Sequence, residues 1–496
     1  MSLDNVRADE LAKVDMIRDM GLNPYPYFFQ RTHKIIEVRA DFDALMESNT
    51  DLALAGRLMT LRRHGKAIFG DVSDEQGTIQ IYLNAGVLSE ADFKLAGLLT
   101  PGDIIGIHGN AFITRTGEQT IKVTKVELLT KCLRPLPDKW HGFKDKQLMQ
   151  RQRYLHLVVD KEVRDRFRTR AKMLRIIRGL LDSKGYLEVE TPILQPIYGG
   201  AFARPFVTRY NALDMDMYLR IADELYLKRL IIGGYDGVYE FGKDFRNEGL
   251  DHMHNPEFTL LEVYCAYQDY NDMISLTEGI FDAVRRGLDL PEKMTWMEQE
   301  VDMSLPWLRR PMLELISEYA HLDVMSASEQ ELQAAVLAAK ETTKESDEVK
   351  QDFKNVGRMH LIEEVFESYV QPNLVRPTFV IDFPKIISPL AKEHRTNSRL
   401  AERFELFIAG REMANSFSEL NDPVDQRKRF EEQMQLRDQG VVEAQVIDED
   451  FLRAMEYGMP PTGGLGIGID RMAMLFTGTS SIREVLFFPQ LRPETP

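Results

Sequence analysis

The sequence is short of cysteine, of positive charge relative to negative, and of long apolar runs, and each shortage removes a class of function. Two cysteines, Cys132 and Cys265, in 496 residues exclude a disulfide framework and any thiolate zinc site, which needs three or four ligands in spaced pairs. Both read as small core residues. A balance of 62 Lys and Arg against 78 Asp and Glu, net charge -16, excludes general affinity for a polyanion, because counterion release needs clustered positive charge. Nucleic acid is thereby confined to a local patch. No apolar run reaches the roughly eighteen residues that span a bilayer. The first residues, Met-Ser-Leu-Asp-Asn-Val-Arg-Ala-Asp-Glu, lack the basic and then apolar order of a signal peptide, so a cytoplasmic protein with no membrane association is expected.

What is present describes a globular chain of two or three domains, with 44% hydrophobic and 28% charged residues. Residues 5 to 20 read as a short amphipathic helix with Leu11, Val14, Ile17 and Met20 on its apolar stripe, stopped by Gly21 and Pro24-Tyr25-Pro26. From about 50 to 130 the pattern changes to five short alternating runs with turns at Asp74-Glu75-Gln76-Gly77 and Pro101-Gly102-Asp103, which predicts a small barrel of the oligonucleotide-binding type. The stretch from Leu133 through His141-Gly142 reads as a linker, followed by one long helical pattern to Lys184-Gly185 and a strand at Tyr186-Leu187-Glu188-Val189-Glu190. Within that helix the stretch from Lys161 to Arg178 holds eight basic residues, counting both ends, and their plain reading is a solvated face. Later strands join through short loops, so the second sheet is expected to be largely antiparallel.

Three constellations carry chemistry. Phe245-Arg246-Asn247-Glu248-Gly249 ends one strand and 255–264 forms the next, where alternation puts Phe258, Glu262 and Tyr264 on one face. Arg246, His252 and His254 in and beside the loop suit phosphate oxygens. Taken alone, the segment reads as an edge hairpin. In Gly464-Leu465-Gly466-Ile467-Gly468 alternate glycines leave one strand face bare for a flat ligand, with Asp470 expected to cap a helix that begins at Arg471. A dinucleotide fingerprint is rejected, since those glycines belong in the turn before a crossover helix. Finally, a turn at Ala409-Gly410 sets Phe407 opposite Glu412 with Glu405 on the same face, a carboxylate pair suited to Mg²⁺. Asn415, Phe417 and Glu419 have the opposite parity from Glu412, so they share its face only if a bulge intervenes.

Together these residues resemble the class II aminoacyl-tRNA synthetases, and within them the lysyl-tRNA synthetases of the bacterial type. The likeness extends over nearly the whole chain, through Gly199-Gly200-Ala201-Phe202-Ala203-Arg204-Pro205-Phe206, Arg220-Ile221-Ala222-Asp223-Glu224-Leu225-Tyr226-Leu227, Phe417-Ser418-Glu419-Leu420-Asn421-Asp422-Pro423 and Tyr457-Gly458-Met459-Pro460-Pro461. It implies an α+β chain: a helical extension over 1–48, an anticodon-binding barrel over 49–135, a linker over 136–160, and over 161–496 a six- or seven-stranded antiparallel sheet flanked by helices, with a helical insertion at about 327–368. The implied activity joins L-lysine to tRNA(Lys) through lysyl-adenylate, in a homodimer built around Pro192. Arg246 and Arg471 would be catalytic. ATP would meet Arg246, Glu248, His254, Asn255, Phe258, Glu405, Glu412 and Arg471; lysine would meet Gly200, Glu224, Arg246, Glu262, Tyr264, Asn415, Phe417 and Glu419. Glu405 and Glu412 would hold Mg²⁺, up to three ions brought partly with ATP. Arg57, Phe69, Gln80 and Glu127 would contact the anticodon, although Phe69 by itself reads as core.

The residue chemistry favours lysine on separate grounds, because a buried ammonium needs anionic partners and Glu262, Tyr264 and Glu419 supply them. An aspartate pocket needs a cation on that wall, and the sequence reading places none there. Met253 departs from the family pattern in a loop that is commonly polar, as do Ile386-Ile387 and the stretch Gln147 to Gln152. Two rivals are weighed: a relative that attaches lysine to a protein, which lacks the barrel, and a catalytically dead binding platform, against which Arg246, Glu405, Glu412 and Arg471 speak.

Overall fold

The computed structural model describes residues 3–137, 146–342, 357–438 and 446–493. The centre of the expected linker, including His141-Gly142, and residues 343–356 of the expected insertion lie outside them. The chain divides into two compact units, 1–146 and 147–496.

In the first unit the strands β1 (Leu52–His64), β2 (Ala67–Ser73), β3 (Thr78–Asn84), β4 (Ile104–Ile113) and β5 (Gln119–Thr130) close into a barrel in the order β1-β2-β3-β5-β4. Alternation explains it: Leu54, Ile81, Leu83, Ile107 and Ile121 point inward and are fully buried. The N-terminal helix, Leu3–Asp19, buries Val14 and Ile17 but leaves Leu11 41% exposed. Its third buried residue is Glu10, which pairs with Lys131 at 2.5 Å and Lys13 at 2.8 Å. An ion pair therefore sets the docked face, and the apolar stripe alone misplaces it. Cys132 is only half-buried, whereas Cys265 in the second unit is core.

The second unit opens with three helices where one was expected, Lys146–Arg151, Arg153–Val159 and Lys161–Ser183. The breaks fall at Gln152 and at Asp160, whose carboxylate accepts from Glu162 N at 2.9 Å and so starts the third helix. Its basic residues are not merely solvated: Arg166 pairs with Glu484 at 3.0 Å, Arg170 with Asp470 at 2.6 Å and Arg178 with Glu188 at 3.0 Å.

The remaining strands are β6 (Leu187–Glu188), β7 (Leu194–Gln195), β8 (Val207–Tyr210), β9 (Met215–Leu219), β10 (Gly237–Phe245), β11 (Glu257–Ala266), β12 (Lys293–Trp296), β13 (Gln299–Asp302), β14 (Leu308–Pro311), β15 (Thr378–Pro384), β16 (Glu393–His394), β17 (Asn397–Ile408), β18 (Arg411–Ser418) and β19 (Thr462–Gly468). Nine of them form the central sheet, in the order β14-β15-β17-β18-β19-β11-β10-β6 with β16 on β17. The inner six are antiparallel as expected, but β14 and β6 add parallel edges. These edge strands and β16 span two to four residues, too short for any periodic signal. Ala414, Leu261, Val263, Leu406, Leu465 and Ile467 face the helices Lys161–Ser183, Tyr270–Gly287 and Ile469–Thr477 through Met173, Ile177, Ile280, Phe281 and Leu475, each such side chain contributing about 1.5–3 kcal/mol of burial. The opposite face carries the site. The expected insertion is helical at Glu329–Thr342 and Arg358–Val365, with Leu332 and Val336 buried. Among the described residues no helix is long and apolar enough to cross a membrane.

Candidate active site

The floor of the site is β19 with a neighbour on each side. Gly464, Gly466 and Gly468 pair with Tyr264, Glu262 and Leu260 of β11, while Gly464 and Gly466 pair on the other edge with Phe417 and Asn415 of β18. Opposed residues in a sheet share a face, so side chains rise on both flanks of a bare strip. A Cβ added at Gly464 would lie 1.9 Å from Glu419 Oε1 and 2.7 Å from Tyr264 Cε1, so the absence of a side chain there is what lets those two groups meet. The helix after the strip, Ile469–Thr477, has Gly468 at its N-cap, with no side-chain cap. Asp470 is therefore not the cap expected; its carboxylate accepts from Thr259 N at 2.8 Å and Arg170 at 2.6 Å, locking the helix to β11.

On the β17–β18 hairpin Phe407 pairs with Glu412, Glu405 with Asn415 and Arg403 with Phe417. Met413 is the unpaired extra residue, so Glu405, Glu412, Asn415 and Phe417 share one face, through the bulge that the parity argument demanded. Burial lifts the Glu405 carboxyl to about 7, opposed by Arg403 and reinforced by Glu412. Arg403 donates to Glu405 at 2.5 Å and to Ile387 O at 2.7 Å, and its guanidinium lies 4.5 Å from the Phe383 ring centroid and 5.6 Å from that of Phe417. The sequence reading missed Arg403, although its parity with Glu405 on one strand is a usable signal. Among the described residues no group of three or more His, Cys, Asp or Glu could hold a metal. Two carboxylates still fit Mg²⁺, which takes one or two protein carboxylates and completes its octahedron with water and substrate phosphates.

The β10–β11 hairpin supplies the third wall. Arg246 lies just past β10, with its guanidinium 5.2 Å from the Phe258 ring centroid. Arg471 donates to Glu412 O at 2.8 Å and Glu412 Oε2 at 3.1 Å, and meets His254 Nε2 at 3.0 Å, while His254 Nδ1 is held by Asp251 at 2.8 Å. Asn255 is committed to structure: its amide donates to Glu257 O at 2.6 Å and accepts from Gln490 N at 3.3 Å. Glu248 is exposed on the loop, and Met253 is buried in the core, which accounts for an apolar residue in this loop. His252 is exposed and does not line the cavity.

Glu224, Glu262, Tyr264 and Glu419 form a buried polar cluster. Tyr264 donates to Glu262 at 2.8 Å. Burial raises all three carboxyls, assisted at Glu262 by Asp244 and Glu224, and Glu419 reaches about 8. Gly200, at φ +86°, abuts Ala222 and Glu224, where a Cβ would lie 3.1 Å and 3.2 Å away. One expectation is corrected here. A cation does stand on this wall: Lys228, four residues after Glu224 on the helix Glu224–Ile232, pairs with both Glu224 and Glu419. Behind the cluster Arg220 contacts Asp223 at 2.8 Å, Glu240 at 2.8 Å and Asp244 at 3.4 Å.

All of these groups border one cavity of about 440 Å³: Gly200, Glu224, Arg246, Glu248, His254, Asn255, Phe258, Glu262, Tyr264, Glu405, Glu412, Asn415, Phe417, Glu419 and Arg471. Glu363 and Met359, from the helical insertion, line it as well. Along β11, Phe258 and Tyr264 are six residues apart, about 20 Å of strand. An end marked by Phe258 and the Arg246 stacked on it is thus separated from an acidic, phenolic end by the length of an extended ligand. A smaller cavity of about 230 Å³ shares His254, Glu363, Arg403, Glu405, Glu412 and Arg471.

On the barrel, Arg57 pairs with Ser73, Phe69 with Tyr82, Asp71 with Gln80 and Gly106 with Glu127. With the β1–β4 register, this places Arg57, Phe69, Gln80 and Glu127 on the outward face. Phe69 is half-buried, belongs to no part of the barrel core and packs at 4.8 Å on Tyr82, itself 5.9 Å from Phe112. The core reading of Phe69 is set aside. Arg57 donates to Gly102 O at 2.8 Å, Gln80 accepts from Thr120 at 2.9 Å and Glu127 holds Lys125 at 2.6 Å.

Comparison with known proteins agrees with this division. The family described as tRNA synthetases class II (D, K and N) matches residues 145–492, and an OB-fold nucleic acid binding domain matches residues 52–129. A lysine–tRNA ligase of Fervidobacterium nodosum is 48% identical over 99% of this chain and 95% of its own length. One from Moorella thermoacetica is 47% identical over 99% and 98%, and one from Nostoc punctiforme 48% identical over 100% and 89%.

Proposed function

The chain belongs to the class II tRNA synthetases of the D, K and N family, and from that membership we propose that it is a lysine–tRNA ligase, activating L-lysine with ATP and passing it to tRNA(Lys). The observation that carries this reading is the one cavity that brings Arg246, Arg471 and the Glu405/Glu412 pair together with buried Glu262, Tyr264 and Glu419.

In the first step the lysine carboxylate attacks the α-phosphorus of ATP in line, the bond to the bridging oxygen breaks, and lysyl-adenylate and pyrophosphate form. The nucleophile is already ionised, so no general base is required. Arg246 aligns the carboxylate and the α-phosphate, Phe258 and Arg471 hold adenine between them, and Arg471 with His254 meets the terminal phosphates. Glu248 and Asn255 border the nucleotide. Glu405 and Glu412 would hold Mg²⁺, up to three ions in all and partly brought with ATP, supplying positive charge against phosphate oxygens. Gly200 and Glu224 take the α-amino group; Glu262, Tyr264 and Glu419 take the ε-ammonium, with Asn415 and Phe417 along the chain. In the second step a terminal ribose hydroxyl of the tRNA attacks the adenylate carbonyl, and its proton passes to the departing phosphate.

Arg57, Phe69, Gln80 and Glu127 contact the anticodon, with a base stacked on Phe69. The enzyme works as a homodimer joined around Pro192, where Ile193, Leu194, Ile197, Val207, Tyr210 and Leu213 are all exposed apolar residues of the kind that mark an association surface. Its place is the cytoplasm, where its tRNA substrate is used. ATP–pyrophosphate exchange with each of the twenty amino acids, with and without tRNA, tests the whole reading. Exchange with lysine alone, followed by charging of tRNA, is the expected result; exchange with another amino acid, or none, would sink it.

A further inference from the structure

A buried cation stands behind the carboxylates of the amino-acid pocket. Lys228 Nζ lies 2.5 Å from Glu224 Oε1 and also pairs with Glu419, and none of its side chain reaches solvent. Both partners are fixed independently of it. Glu224 sits one helical turn earlier, and Glu419 is anchored where its backbone N–H donates to Thr462 O at 2.8 Å and its carboxylate fills the space left by Gly464. Three carboxylates line this part of the cavity, Glu224, Glu262 and Glu419, against the one ammonium of Lys228 behind them, so with all three ionised the group carries a net charge of minus two. Lysine brings two ammonium groups, and its own carboxylate is matched by Arg246. We infer that Lys228 is a positioning residue that sets the charge count of the amino-acid pocket, favouring the ionised forms of Glu224 and Glu419 so that the two ammonium groups of lysine complete the balance.

The inference deepens the lysine reading and rests on it. Its physical basis is that a buried carboxylate with no cation takes up a proton sooner than stay charged. Burial already raises Glu224 and Glu419, and Lys228 is the group that opposes the rise at both. The other groups facing this pair are Glu262 and Tyr264 of β11; Asp223 and Asp244 lie behind Glu262, with Arg220 and Arg246 acting on Asp244. β19 offers only glycine backbone at this point. Without Lys228 both carboxyls would hold their protons more firmly still and would be poorer partners for ammonium groups.

Lysine-dependent ATP–pyrophosphate exchange, measured on the full chain and on Lys228→Met near pH 7 and pH 8.5 beside thermal melts, is the test. The expected result is a lysine KM raised roughly tenfold or more near pH 7, the effect of one pKa unit, with the ATP KM within about twofold. The penalty should shrink near pH 8.5, where a larger share of the carboxyls is ionised in both proteins. A folded Lys228→Met protein with lysine KM within about twofold of the unaltered chain, or with lysine and ATP KM raised together at both pH values, overturns the inference. If Met at this position abolishes a cooperative melt, Lys228→Arg and Lys228→Gln are compared instead. Recovery of lysine affinity with Arg but not Gln supports the charge role, and equal behaviour of the two overturns it. Absence of lysine exchange in the unaltered chain is a different failure, which removes the lysine reading itself.

Discussion

Glu412 and Asn415, three residues apart on β18, point to the same face of the sheet because Met413 has no partner on β17. If Met413 were paired in regular register, Glu412 would lie on the opposite face from Glu405 and Asn415. Glu412→Gln tests the carboxylate half, since it keeps the shape and removes the charge. Half-maximal exchange should then require several-fold more Mg²⁺, with the lysine KM at saturating Mg²⁺ little changed. An unaltered Mg²⁺ titration would remove Glu412 from the metal site.

Arg246→Ala should abolish lysine-dependent exchange, by at least about 10²–10³-fold if it behaves as a donor to developing charge, while the melt stays cooperative. Its guanidinium stacks on Phe258 and makes one backbone hydrogen bond, to Ile221 O at 3.4 Å, so little stability should be lost. Near-normal exchange would refute the assignment.

Glu419→Gln should cost lysine affinity, about 2–5 kcal/mol for a severed buried charge partner, and spare ATP binding. Because burial pushes the Glu419 carboxyl up to about 8, wild-type lysine KM should fall as pH rises from 7 toward 8.5, and the variant should flatten that slope. Parallel pH profiles would exclude Glu419 as the titrating group.

Asp223→Asn addresses the acids behind the pocket. Burial, with Asp244 and Glu262, pushes Asp223 up to about 11 against the opposing pull of Arg220. The folded state therefore keeps a proton that the unfolded chain releases above about pH 4, and stability contributed by this group is lost as pH rises from there through the folded value. The amide mimics the protonated acid, so the Tm of the variant should equal or exceed that of the parent, with an advantage that grows from pH 5 to pH 9. A Tm lower than the parent at pH 9 would show that Asp223 is needed as an anion for Arg220.

Phe69→Ala should weaken tRNA charging by the ~1–3 kcal/mol of one stacked base and leave exchange without tRNA intact. Equal damage to both reactions would return Phe69 to a structural role in the barrel.

Much of this was legible before any coordinates. Alternation in Phe258, Glu262 and Tyr264 and the glycine spacing gave the two central strands, and parity at Glu412 and Asn415 demanded the bulge at Met413. What stayed hidden has a common cause, which is charge meeting charge across distant segments. Periodicity does not reveal that Lys228 reaches Glu419, that Arg403 neutralises Glu405, that Glu10 rotates its helix onto Lys131 or that Asp470 joins Arg170 to Thr259. Such pairs leave no periodic trace, since each partner is polar and reads as surface until the fold buries it. The short edges β6, β14 and β16 were invisible for the simpler reason that two to four residues hold no period.

The glycine strip of β19 also says where the enzyme's choice of amino acid is open to redesign. Gly464 abuts Glu419 and Tyr264 so closely that even a methyl group collides, whereas the nearest atoms to a Cβ at Gly466 are 3.8 Å and 4.0 Å away. A library built to admit lysines carrying bulky ε-substituents would therefore leave 464 untouched and vary Tyr264, Asn415 and Phe417, which rise from the flanking strands. The strip itself acts as a depth stop: new volume is gained by trimming the walls, because nothing remains on the floor to remove.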